Sequence, residues 1–175
     1  MLRDRLRPMP GTMRALRKTA PRAGAELVDV PIPSPGEGEV LVRVHATSIC
    51  GTDLHIYDWN EWAEKRITRM PMTFGHEVAG TVEAVGSEVH HLESGAFVAA
   101  ETHVSCGRCS TCRTGRAHIC ENLRILGVDI EGAFAEYVVI PAVNAWVVGE
   151  GGRGAAIAEG DGLVVGAAGS RTSIT

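Results

Sequence analysis

The sequence predicts a mostly β fold with a barrel-like or sandwich-like body. Short stretches of period-two hydrophobic alternation recur between residues 13 and 148, Gly and Pro turns separate them, and no long amphipathic helix is evident in that span. Period two is the spacing of side chains on one face of a pleated strand, so each alternating stretch marks an element with one face toward a core.

Residues 1–12 read as an extension, because strand-like patterning begins only at Met13–Lys18. A second strand is expected over Glu26–Val30, closed by Pro31, Pro33 and Pro35, which lack the backbone donor a ladder needs. Glu39–Ser48 alternates best. Val40, Val42, Val44 and Ala46 face one way and Leu41, Arg43, His45 and Thr47 the other, the pattern of a half-buried strand. Cys50–Trp62 is polar and aromatic and reads as a loop with a helical turn at most. Glu77–Val85 alternates again and ends at a Gly86-Ser87 turn, Ala96–Glu101 is short and apolar, and residues 103–122 form a Cys-rich loop. Ala133–Ile140 is a strong strand stopped by Pro141, and Ala145–Val148 is the last. From Val147 to Thr175 there is no aromatic residue, Pro, Cys, His or Lys, and Gly is dense. Residues 149–175 are therefore expected to be a Gly-rich, disordered tail, since a stretch without large side chains buries little.

The 175 residues carry 17 Lys+Arg against 21 Asp+Glu, a net charge of -4, and 45% are apolar. That length suits one domain of ordinary size with a real core. A mild acidic balance without basic clusters argues against nucleic acid as a partner. No apolar run approaches the ~20 residues that span a bilayer, and the basic N-terminus lacks the apolar segment of a secretory signal. A cytoplasmic protein without a membrane partner is the resulting expectation.

Five cysteines are an odd number and fit poorly with full disulfide pairing. Four of them, Cys106, Cys109, Cys112 and Cys120, follow the spacing C-x2-C-x2-C-x7-C. A tight loop with four thiolates can wrap a tetrahedral zinc ion without help from distant segments, and four protein ligands leave no open position, so this site is expected to be structural. Arg108, Arg113 and Arg116 offset its negative charge. The fifth cysteine opens Cys50-Gly51-Thr52-Asp53-Leu54-His55, and Gly75-His76-Glu77 opens the next strand. A thiolate, an imidazole and a carboxylate are the kind of mixed set that catalytic zinc uses. The 26-residue separation of Cys50 from His76 is not diagnostic by itself: a lone Cys also serves as a small core residue, and a lone His as a hydrogen-bonded one.

The run GHEVAGTVEAVGSEV, residues 75–89, resembles the signature of zinc-containing alcohol dehydrogenases of the medium-chain dehydrogenase family, and the Cys-rich loop is similar to that family's structural-zinc lobe. The resemblance covers roughly residues 13–148. Within the family, CGTDLHIYDWNEW (50–62), Glu101-Thr102-His103 and AFAEYVVIPAVNAW (133–146) look most like the L-threonine 3-dehydrogenase branch, with polyol dehydrogenases the nearest rival.

This resemblance implies a GroES-like catalytic domain over 13–148 with two zinc ions, one catalytic and one structural. It also implies NAD-dependent oxidation of a small amino-alcohol, L-threonine to 2-amino-3-oxobutanoate, and a homo-oligomer in the full-length family. Cys50 and His76 would be metal ligands, and Glu77 either a third ligand or a neighbouring group that exchanges with water. Thr52 and His55 resemble a proton relay, Asp53 a carboxylate that orients His76, and His103 a substrate-side residue that shapes specificity. Trp59 and Trp62 fit a cleft lining or ordinary packing equally well. His45, His90, His91 and His118 are assigned no role.

In that family NAD is held by a second, doubly wound domain, and 175 residues end before one could be built. Gly149-Glu150-Gly151-Gly152-Arg153-Gly154 is a literal G-x-G-x-x-G, but too few residues follow it for a βαβ unit of about 30. The expectation is an N-terminal fragment or frameshifted product, inactive alone, in-family to about Val148. Glu159 is a weak candidate for a further carboxylate near the metal. A non-catalytic zinc-binding module is the alternative from outside the enzymes.

Overall fold

The computed structural model describes residues 11–148 and the backbone of Val164–Ala167. The chain runs β1 (Thr12–Lys18), β2 (Glu26–Pro31), β3 (Glu39–Ile49), α1 (Gly51–Asp58), α2 (Glu61–Arg66), β4 (Met72–Thr73), β5 (Glu77–Val85), β6 (Phe97–Ala100) and β7 (His103–Val104). It continues through a short α3 (Ser110–Arg113), β8 (Arg124–Ile125), β9 (Tyr137–Pro141), β10 (Ala145–Val147) and β11 (Val164–Ala167). The mostly β expectation holds, and no helix among the described residues is long and apolar enough to cross a membrane.

The main sheet is ordered β10-β6-β5-β3-β11, with β9 also on β3. Strand β3 lies antiparallel to β5 along one edge. Its other edge is shared: β9 pairs with Glu39–Arg43 and β11 runs parallel to Ala46–Ile49. A second sheet, β2-β1-β4, covers the N-terminal side, and β7 and β8 form a small ribbon beside the Cys-rich loop. The largest core cluster joins Val40, Val42 and Val44 to Val78, Val82, Val98, Val138 and Ile140, so the valine row of β3 faces inward as its alternation predicts.

Four expectations require correction or restriction. Residues 51–66 are two helices rather than a loop. The Asp53 carboxylate accepts the Cys50 amide N–H at the start of α1, and the Asn60 side chain accepts the Ala63 N–H at the start of α2. Ile56, Ala63 and Ile67 then bury against Met72, Phe74 and Phe134. Along β3, Leu41 and Thr47 are buried on the face expected to be polar. The strand expected from Ala133 starts at Tyr137, because the Ala133 and Phe134 amides bond instead to the carbonyls of Gly75 and Phe74. Within 149–175, Val164–Ala167 forms a strand on β3 where no regular structure was expected. The rest of that segment, with Gly149–Gly154 and Glu159, lies outside the described residues, as do residues 1–10.

Lys18 is buried at the end of β1. Its ammonium donates to the carbonyls of Gly24 and Tyr57, both at 2.9 Å, and to that of Arg22, and it lies 5.2 Å from the Trp59 ring centre. Burial lowers its pKa. A buried ammonium is tolerated only with such partners, and here they anchor the C-terminal end of α1 to β1.

Candidate metal centres

Strand register brings the first group together. Ser48 of β3 is the cross-strand partner of Glu77 of β5. The chain leaving β3 at Cys50 and the chain entering β5 at His76 therefore meet at the same end of the sheet. One donor atom each from Cys50, His76 and Glu77 lies within 4.8 Å of the others. Gly75 sets this entry. It has φ +89, and a Cβ there would stand 2.6 Å from Phe134 Cδ1, so only glycine lets the chain turn into His76 against that ring. Gly80 keeps the pairing of β5 with β3 tight, since a Cβ would lie 2.1 Å from the Arg43 carbonyl oxygen.

His76 is 8% exposed and Asp53 is 2% exposed. Asp53 Oδ2 accepts the Cys50 N–H at 2.9 Å, while Oδ1 lies 3.6 Å from His76 Nδ1. That separation is long for a hydrogen bond, and neither atom has another partner among the described residues. The contact is primarily electrostatic. The Asp53 carboxylate raises the His76 pKa to about 9 against the opposing effect of burial. The other ring nitrogen, Nε2, lies 3.9 Å from Glu77 Oε1. The Thr52 amide N–H lowers the Cys50 pKa, which favours the thiolate.

The Thr52 hydroxyl is 4.0 Å from Cys50 Sγ. His55 is one turn further along α1, exposed, with Nδ1 2.6 Å from Asn60 Nδ2 and its ring 5.7 Å from that of Trp62. His103 is exposed on β7, and Glu101 Oε1 lies 2.8 Å from its Nδ1 and accepts its backbone N–H. Its hydrogen-bond partners, Glu101 and Asn144, are not members of the Cys50–His76–Glu77 group. Two neighbours were missed from the sequence. The Ser48 hydroxyl donates to Glu77 Oε2, and the Thr47 hydroxyl donates to the Glu77 carbonyl at 2.6 Å. Nothing short of the β3–β5 register signals either contact, because β3 carries register shifts at Leu41/Val42 and Val44/Ala46.

The second group is Cys106, Cys109, Cys112 and Cys120, all free thiols whose sulfurs lie within 4.8 Å of one another. Cys109 Sγ is 3.4 Å from Cys112 Sγ and 3.8 Å from Cys120 Sγ. Four sulfurs arranged tetrahedrally at about 2.3 Å from one ion stand about 3.8 Å apart, so the cage has the size zinc needs. The Cys109 thiol is pulled down to about 5, first by the Thr111 hydroxyl at 3.1 Å and then by backbone amides. Desolvation and the neighbouring sulfurs push Cys112 up to about 12. Unmetallated, the cluster thus resists placing a charge on every sulfur, and a divalent cation removes that obstacle.

Comparison with known proteins identifies the family. Residues 36–150 match the family described as the Alcohol dehydrogenase GroES-like domain. The chain is 57% identical over 138 residues to an L-threonine 3-dehydrogenase of Pyrococcus abyssi, covering 79% of this chain and 39% of that protein. A cobalt- and zinc-bound thermostable alcohol dehydrogenase from Pyrobaculum aerophilum superimposes with a TM-score of 0.70 at 34% identity, over 78% of this chain and 41% of that one. Galactitol-1-phosphate dehydrogenase from Escherichia coli does so with a TM-score of 0.71 at 27% identity, over 79% and 39%. The chain thus spans about 39% of the length of the curated relatives it matches.

Proposed function

Since the chain belongs to the alcohol dehydrogenase GroES-like domain family, we propose that it is the zinc-bearing catalytic domain of an oxidoreductase similar to L-threonine 3-dehydrogenases. The supporting observation is the meeting of Cys50, His76 and Glu77 at one end of the β3–β5 pair. One thiolate, one imidazole and one carboxylate suit zinc and leave a position for substrate. Of the two His76 nitrogens, Nε2 faces Glu77 and Nδ1 faces Asp53, so Nε2 is the donor and Asp53 orients the ring through the other side. The four-cysteine cage would hold a second, structural ion.

When bound, zinc supplies Lewis acidity that lowers the pKa of a substrate hydroxyl, and NAD accepts the hydride. The overall change is L-threonine plus NAD to 2-amino-3-oxobutanoate plus NADH, with the hydroxyl proton released. Thr52, its hydroxyl 4.0 Å from Cys50 Sγ, relays that proton, and the exposed His55 passes it to solvent. His103, with its ring steadied by Glu101, forms the specificity wall on the substrate side. Among the described residues no segment forms a dinucleotide cradle, so cofactor binding falls to sequence beyond them.

A polyol substrate is the second reading, favoured by the likeness to the galactitol-1-phosphate enzyme. Titration of the cobalt-loaded chain separates the readings. L-threonine is expected to shift the visible bands that Cys50→Ser abolishes, and galactitol is not. A shift with galactitol alone selects the polyol reading, and no shift with either leaves a non-catalytic zinc module.

A further inference from the structure

We propose that Ser48 is a positioning residue for Glu77, holding its carboxylate so that one oxygen is turned toward the Cys50–His76 pair. The inference rests on the metal-centre reading above and adds a residue to it. Ser48 and Glu77 are direct cross-strand partners, and such pairs bring Cβ atoms within about 5.5 Å of each other. The Ser48 hydroxyl donates to Glu77 Oε2, and Glu77 Oε1 is the oxygen 3.9 Å from His76 Nε2. The two carboxylate oxygens thus have different tasks. One is occupied by Ser48, and the other faces the donors of the candidate site.

Burial does not hold the carboxylate, since the Glu77 side chain is 42% exposed. Its backbone, by contrast, is pinned: the Thr47 hydroxyl donates to the Glu77 carbonyl at 2.6 Å, and Glu77 opens the β3–β5 ladder opposite Ser48. The free rotations are those of the Glu77 side chain, and the Ser48 hydroxyl is the partner that restricts them. A glutamate free to swing into solvent loses rotamer entropy on meeting a metal ion, whereas one already tethered loses less. Removing a group that orients a metal ligand costs 10- to 100-fold in metal affinity as an order of magnitude.

The test is cobalt binding to the full chain, read from visible absorption, in wild type, Ser48→Ala, Ser48→Thr, Glu77→Gln and the Ser48→Ala/Glu77→Gln double variant. Ser48→Ala is expected to weaken the cobalt lost in Cys50→Ser by roughly 10-fold and to alter its bands, and Ser48→Thr to restore both. The double variant is expected to match Glu77→Gln, because Ser48 acts through that carboxylate. Hydrogen-exchange protection of the Val40–Val44 amides, which lie in the β3 core, reports that each variant is folded. Unchanged affinity and bands in Ser48→Ala, or effects of the two substitutions that simply add, overturn the role of Ser48 while leaving the metal centre standing. If Cys50→Ser loses no cobalt, the metal centre and the Ser48 inference both fall.

Discussion

Cys106, Cys109, Cys112 and Cys120 come from one loop of fifteen residues, whereas Cys50, His76 and Glu77 arrive from the end of one strand and the beginning of another. The first cluster has little else to hold it. Its only regular structure is the four-residue α3 and a three-residue turn, and among its members only Cys120 is buried. The second sits on an eleven-residue strand, a capped helix and a nine-residue strand, with Asp53 and His76 buried between them. A metal ion in the loop organises its surroundings, while one at the strand ends is received by surroundings already organised. Local chain closure supplies the first site and sheet register the second.

That contrast can be broken most sharply by removing metal. Chelation, or Cys109→Ser, is expected to abolish amide protection across residues 103–122 while Val40–Val44 remain protected. Zinc-finger peptides place the coupled binding and folding energy on the order of 10 kcal/mol. Hydrogen exchange measures it, and a loop that stays protected without metal would remove the distinction. Cys50→Ser is next in size. It should release one equivalent of zinc and retain the other, with the apo protein's urea midpoint nearly unchanged, as metal analysis and denaturation would show.

Gly80→Ala probes the scaffold instead of the ligands. The new methyl meets the Arg43 carbonyl at 2.1 Å inside the β3–β5 ladder. Overpacking of this kind costs about 1–3 kcal/mol, and metal affinity should fall at the Cys50 site but not at the four-cysteine cage. The smallest effect concerns the tie between the regions. Arg66 of α2 makes two 2.7 Å hydrogen bonds to Asp129, which also accepts the N–H of Ile125 in β8. The Arg66 guanidinium lowers the Asp129 pKa. A carboxylate with a depressed folded pKa contributes its stability above its unfolded pKa and loses it as pH falls through the folded value. Arg66→Gln should therefore cost about 1 kcal/mol at pH 7, a partly exposed pair being screened by solvent. The difference should begin to shrink as pH falls below the ordinary aspartate pKa of 3.8 and vanish only below the depressed folded value, so urea melts should show a smaller gap at pH 3 than at pH 7.

Some of this was legible in order along the chain. Strands β1, β2, β3, β5 and β6 lie where alternation and proline stops place them, because a strand's period is a local property. The helices at 51–66 were not legible. Their polar and aromatic residues carry little amphipathic pattern, and it is burial of Ile56 and Ala63 against Met72 and Phe134 that makes them helical. Nor does the sequence signal the burial of Lys18 at the end of β1, because the three carbonyls that enclose it come from later segments.

The amino-acid order by itself determined the strand-rich body and the four-sulfur loop, since both depend on spacings of a few residues. Only the tertiary structure decided that Cys50 meets His76 and Glu77, that Asp53 stands behind the imidazole and that Ser48 grips the carboxylate. Those contacts depend on how two strands slide past each other. A shift of one residue would turn every side chain of β5 to the opposite face, and the close approach of Gly80 to the Arg43 carbonyl suits the observed pairing.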